Sequence, residues 1–185
     1  YYALDKATGF GEWIEAMKLQ ALPSINYIYA DRQGNIAYVY NAQFPDRKEG
    51  PDWSGVLPGD DSSLIWQGYV PFEAMPKLVN PNSGYVYNAN NTPFRATAAN
   101  DNLDPADFPE RLGIQSDMTN RAMRLEETYG ADNSITAGEF RDYKYDLRYS
   151  QNSAMMENVK GLPASRSGQH AHPRKRPATS PSSDK

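Results

Sequence analysis

The chain has 185 residues, 19 basic against 23 acidic side chains, a formal charge of −4 and no cysteine. The length suffices to bury a core. The lack of cysteine excludes disulfides, cysteine-based metal sites and a thiol nucleophile, and no run of about 18 apolar residues is present to span a membrane.

The opening Tyr1-Tyr2-Ala3-Leu4 has neither Met nor a basic-then-apolar leader, so the native start is expected upstream. From Glu12 to Leu19, residues Trp13, Ile14, Met17 and Leu19 fall close to a helical period, which Pro23 ends. Two β-rich runs, Ser24 to Ala30 and Asn35 to Tyr40, flank Asp31-Arg32-Gln33-Gly34 and predict a hairpin. Phe44 to Asp61 is full of Pro, Gly and Asp and reads as an irregular loop over a surface or pocket. A third strand is predicted over Gly84 to Asn88, running directly into Ala89-Asn90-Asn91-Thr92-Pro93-Phe94. Helical patterns return over Thr119 to Tyr129, with Met118, Ala122 and Leu125 as the apolar stripe and Gly130 as the stop, and over Thr136 to Arg148. The succession makes the fold class α+β.

Residues 162–185 contain no aromatic side chain and are rich in Ser, Pro, Arg and Lys. Arg166, Arg174, Lys175, Arg176 and Lys185 against Asp184 give this stretch +4 within a chain of −4, so residues 1–161 carry −8. Such a composition offers too little apolar surface to offset the entropy of ordering, and the stretch is expected to be a disordered basic tail, set apart from the body at 1–161 by an abrupt change that suggests a non-native extension. Its His170-Ala171-His172 beside Arg174-Lys175-Arg176 is compatible with a metal or nucleic-acid tag, although a solvated extension is the simpler reading. With both histidines in the tail, a Ser-His-Asp triad is excluded from the body. The acidic body argues against a nucleic-acid partner, because binding there rests on neutralising phosphates.

The feature richest in chemistry is Asn88-Ala89-Asn90-Asn91-Thr92-Pro93 at the end of an apolar run. An asparagine amide carries two N–H donors and never titrates, which suits stabilisation of a developing oxyanion. Asparagine is equally a turn former, and the residues alone leave both roles open. Arg121 and Arg124 are either a carboxylate clamp or helix surface. Asp101, Asp104 and Asp107, with Asn100 and Asn102, supply the hard oxygens that calcium prefers, although their spacing is not that of the helix-loop-helix calcium loop.

Taken together, Leu22-Pro23-Ser24-Ile25-Asn26-Tyr27-Ile28-Tyr29-Ala30-Asp31, Gly34-Asn35-Ile36-Ala37-Tyr38, Pro45-Asp46-Arg47, Leu57-Pro58-Gly59, Trp66 to Glu73, Asn80-Pro81-Asn82-Ser83-Gly84-Tyr85 and Asn88 to Pro93 resemble the β chain of the penicillin acylase (penicillin amidase) family. These are N-terminal nucleophile hydrolases, and the family includes acylases of penicillins, cephalosporins, acyl-homoserine lactones and aculeacin-type lipopeptides. The resemblance runs in order from about Tyr1 to Ser150 and lies nearest the acyl-homoserine lactone and aculeacin-type members. It implies part of a four-layer αββα sandwich and hydrolysis of the carbon–nitrogen bond of linear acyl amides. It implies Asn90 as the side-chain half of the oxyanion hole, Ile25 in the acyl pocket and Arg121 in support of the active centre. It implies no required cofactor but a structural calcium in several members, with Asp107 as the matching carboxylate, Asp101 and Asp104 in competition, and a backbone carbonyl near Trp53.

The family's nucleophile is a Ser at the head of the β chain, activated by its own α-amino group, whose pKa lies close to working pH. Nothing near Tyr1 matches it. The resemblance therefore implies an internal β-chain fragment, inactive alone, that partners a missing α chain and the missing N-terminal part of the β chain, with periplasmic or secreted placement. The alternative is a non-catalytic, aromatic-rich module that binds sugars or peptides.

Overall fold

The computed structural model describes residues 1–22, 24–41 and 43–161. The expected tail at 162–185 and the helix stop at Pro23 lie outside the described residues.

The first layer is helical. A short helix α1, Tyr2–Lys6, leads into α2, Phe10–Met17, which begins earlier and ends earlier than the periodicity predicts. Glu12 in its first turn accepts from the Thr8 backbone N–H (2.7 Å) and hydroxyl (2.9 Å), giving the helix start an acidic partner. Trp13 and Met17, four residues apart and so on one face, are its buried residues. Trp13 meets the ring of Tyr29 at 4.8 Å between centroids.

The second layer is a three-stranded antiparallel sheet in the order β1-β2-β3, with β1 at Ile25–Ala30, β2 at Ile36–Asn41 and β3 at Lys77–Val79. The hairpin of β1 and β2 is registered Ile25 against Asn41 through Ala30 against Ile36. Its turn is closed by Asp31, whose carboxylate accepts from the backbone N–H of Gln33 and Asn35 and from the Asn35 amide. These bonds hold the Asp31 pKa below its usual value. Being central, β2 is covered on both faces. Ala37 and Val39 join Trp13, Met17, Phe44, Val70, Phe72 and Met75, while Tyr38 points the other way to Leu78 and Ala96.

On the Tyr38 side the chain from Tyr85 to Ala89 runs between the sheet and a further helix α3, Asn120–Thr128. Val86 packs toward Tyr38, whereas Tyr85, Tyr87 and Ala89 pack on Met118, Ala122 and Leu125, the predicted stripe of α3. Helix, sheet, a connecting segment and helix therefore succeed one another in a mixed α+β arrangement, as expected. The third strand of the ladder, however, is Lys77–Val79 rather than Gly84 to Asn88. Residues 85–88 enter no ladder, their backbone bond being Tyr87 N–H to the Ala96 carbonyl at 2.9 Å.

Helix α3 ends at Thr128 and passes into a single 3-10 turn over Tyr129–Ala131, so Gly130 lies within that turn. Helix α4, Ala137–Lys144, opens on a capping box in which Thr136 and Glu139 satisfy each other's backbone donors. It stops short of the predicted Arg148. A last helix α5, Ala154–Lys160, follows the N-cap Ser153.

Candidate active site

The Asn-rich turn lies where the start of β1, the end of the 85–89 segment and the start of α3 meet. Its asparagines do separate work. Asn88 accepts at Oδ1 from the Asn26 amide (3.1 Å) and from the Asn90 backbone N–H (3.0 Å), tying the turn to β1. Asn91 is buried. Its Oδ1 accepts from the Ala89 N–H at 2.7 Å and its Nδ2 donates to the carbonyls of Thr92 and Arg95. Thr119, the N-cap of α3, donates its hydroxyl to the Ala89 carbonyl at 2.8 Å and so fastens the helix to the turn.

Asn90 is exposed and has a left-handed backbone at φ 60°. Its Oδ1 accepts from Arg121 Nη2 at 2.6 Å. A guanidinium only donates, so this bond fixes which end of the amide is oxygen and turns the Nδ2 donors away from the helix. Among the described residues nothing occupies Nδ2. Asn90 lines a cleft of about 410 Å³ with Ile25, Asn26, Tyr40, Asn88 and Thr119. Ile25, the first residue of β1, is 38% exposed there. Burial pushes the Tyr40 phenol above its usual pKa, so this group stays neutral, whereas Asp117 brings a carboxylate to the same cleft. Ile25, Asn90 and Arg121 are thus brought together.

Arg124 proves to be neither solvent-facing helix surface nor a free clamp. Its Nε and Nη2 donate to Asp146 Oδ2 at 3.0 and 2.7 Å and its Nη1 to Glu127 Oε2 at 2.8 Å. Glu127 also accepts from the hydroxyl of the fully buried Ser150, whose N–H donates to Asn120. This brace clamps residues 146–150 onto the helix that carries Arg121. Sequence reasoning missed it because the partners of Arg124 and Glu127 in that segment lie more than twenty residues away.

The acidic loop does not gather. Asp101 accepts from the Ser83 N–H and the Asn82 amide, and Asp104 caps the turn at Ala106. Asp107 lines a different cleft with Lys77 and Arg111. Trp53 donates its indole N–H to the Lys48 carbonyl and lies under Arg47. Among the described residues no three His, Cys, Asp or Glu side chains converge. These carboxylates by themselves do not fit the six to eight oxygens that calcium takes. No helix among the described residues is long and apolar enough to cross a membrane.

The family model of penicillin amidase matches residues 1–179. The chain is 44% identical to penicillin G acylase of Escherichia coli over 96 residues, 52% of this chain and 11% of that protein. It is 35% identical to penicillin acylase 2 proenzyme of Pseudomonas sp. (strain SE83) over 66 residues, 36% of this chain and 8% of that protein. Among solved structures, a thermostable penicillin G acylase from Alcaligenes faecalis matches with a TM-score of 0.61 at 28% identity, covering 88% of this chain and 28% of that one. The chain therefore spans about a tenth of the length of these two curated relatives. With the match running through nearly all of its residues, the chain belongs to the penicillin amidase family.

Proposed function

We propose that this chain supplies the oxyanion-stabilising wall and part of the acyl pocket of an amide hydrolase acting on linear acyl amides. The observation that carries the reading is the bond from Arg121 to Asn90 Oδ1, which leaves the Nδ2 donors free on a cleft that Ile25 also lines. In this reading a Ser nucleophile from outside residues 1–161 attacks the amide carbonyl. Charge develops on the carbonyl oxygen, and Asn90 Nδ2–H donates to it without any change in its own protonation. Arg121 and Asn88 hold the donor so that no reorganisation is needed as the charge forms. Ile25 offers an apolar wall to the acyl group. The 185-residue chain alone turns over no acyl amide, and the assembled enzyme resides in the periplasm or is secreted.

Removing one oxyanion donor costs on the order of 100- to 1000-fold in turnover. Asn90→Ala in the assembled acylase is expected to lower kcat by that amount with KM little changed. A kcat within a few-fold of the parent enzyme on a phenylacetyl or fatty-acyl amide overturns the assignment.

A further inference from the structure

The cleft at Asn90 carries one charge that the reading above does not use. Of the described side chains that line it, Asp117 is the charged one, set among amides, hydroxyls, the Ile25 side chain and the Tyr40 phenol. Its position is fixed by the backbone rather than by the carboxylate. The Asp117 carbonyl accepts from the Thr92 N–H at 3.2 Å, and Thr119, two residues later, donates its hydroxyl to the Ala89 carbonyl. Ala89 and Thr92 bracket Asn90, so the chain entering α3 is tied to the Asn-rich turn on both sides of the donor.

The carboxylate itself is left over. Asp117 is exposed, and among the described residues its side chain has neither an ion-pair nor a hydrogen-bond partner. Arg121, four residues on, does not neutralise it. That guanidinium meets the Asn90 amide from the oxygen end and lines the neighbouring cleft with Lys144 and Arg148. The Asn90 cleft thus sets a negative charge with no counter-charge among its described lining residues close to the Nδ2 donors. Low-dielectric walls focus the field of such a charge on whatever enters the cleft.

We propose that Asp117 sets the choice of amine: the acylase prefers linear acyl amides whose amine half bears a positive charge and discriminates against those whose amine half bears a carboxylate. The proposal rests on the reading of Asn90 and Ile25 given above. In that reading the carbonyl oxygen goes to Asn90 Nδ2 and an apolar acyl group to Ile25, so a charge on the substrate belongs to the amine half. Asp117 attracts a cation there and repels an anion. The acyl pocket selects the acid that is released, and Asp117 selects the amine. Two unit charges on the order of 6 Å apart in a partly solvated site interact strongly enough to change kcat/KM about 10-fold. Asp117 is thus a specificity-determining residue, and no proton passes through it.

Phenylacetyl or fatty-acyl amides of α,ω-diaminobutane and of ω-aminobutanoic acid form a matched pair, with opposite charges at the far end of similar chains. On the assembled acylase at low salt, the cationic amide is expected to show a kcat/KM at least about 10-fold above the anionic one, with the gap narrowing as salt screens the charge. Asp117→Asn should lower kcat/KM for the cationic amide and raise it for the anionic one, and Asp117→Lys should invert the order. Opposite movements cannot come from a damaged fold, which would lower both. A ratio that Asp117→Asn leaves unchanged overturns the proposal. A parallel fall on both amides also overturns it and places the carboxylate in the chemistry or in the fold. The outcome is separable from that for Asn90. If Asn90→Ala keeps its rate while the ratio still follows Asp117, the oxyanion assignment alone falls; if Asn90→Ala loses its rate while the ratio ignores Asp117, the choice of amine alone falls.

Discussion

Arg121 holds Asn90 by its carbonyl oxygen at 2.6 Å, so the amide presents its donor end to the cleft. Arg121→Ala leaves Asn90 in place but free to rotate. We expect kcat of the assembled enzyme to fall roughly 10- to 100-fold, the equivalent of one charge-assisted hydrogen bond. The loss should be smaller than that of Asn90→Ala, with KM little changed. Arg121→Lys should recover only part of it, because a lysine lacks the directional fork of the guanidinium. Steady-state kinetics on the three variants provide the check.

Asn91 should behave oppositely to its neighbour. Truncation to Ala would strand the buried Ala89 N–H and take the Asn91 donor from the Arg95 carbonyl, whereas the Thr92 carbonyl keeps the Arg95 N–H at 3.2 Å. Leaving buried groups unpaired costs about 1–3 kcal/mol for each group that water cannot reach. Asn91→Ala is expected to lower the urea midpoint by at least the equivalent of one such group, while Asn90→Ala changes it far less.

Tyr38 carries an opportunity for stabilisation. It is fully buried, and its hydroxyl finds no hydrogen-bond partner among the described residues. Burial drives its pKa far upward, so the group stays neutral. Tyr38→Phe removes an unsatisfied hydroxyl while keeping the ring that packs on Leu78 and Ala96. The variant should unfold at higher urea, by about 1 kcal/mol or more.

The brace around Arg124 predicts an acid-side loss of stability. The Ser150 hydroxyl and Arg124 hold Glu127 below its ordinary value of 4.5, and the Arg148 N–H and Arg124 hold Asp146 below 3.8. The unfolded chain therefore binds protons more readily than the folded one, and stability rises with pH through this range. The contribution is fully present above the ordinary values and is lost as pH falls through the depressed ones. Urea midpoints measured from pH 6 down to pH 3 should fall, and the fall should be shallower in Glu127→Gln and Asp146→Asn.

What the sequence disclosed follows the range of the interactions involved. The hairpin of β1 and β2 was legible because Tyr and Ile alternate on either side of a turn that Asp31 closes with local bonds. The Met118, Ala122 and Leu125 stripe was legible for the same reason, being set by helical period. Strand β3 was not, because three residues between Pro76 and Asn80 are too few to show a period. Residues 85–88 carried the alternation of a strand without the partner that would make them one. At the site, the resemblance to a family singled out Asn90, Ile25 and Arg121, but only coordinates reveal that the helix fixes the direction of the amide. The acidic loop shows the same limit, because composition counts carboxylates and cannot say that Asp101 and Asp104 accept from the backbone N–H groups of Ser83 and Ala106.

The left-handed backbone at Asn90 narrows what evolution or a protein engineer can place there. Glycine would accept the φ of 60° most easily but brings no donor. Aspartate tolerates the turn, yet sets a negative charge where the proposed oxyanion forms. Glutamine keeps an amide, one methylene too long and on a backbone that disfavours it. Two unrelated filters, one conformational and one electrostatic, overlap at a single amino acid. A variant library at this position should therefore return asparagine almost alone when selected for turnover, and a mixture of asparagine, glycine and aspartate when selected for folding.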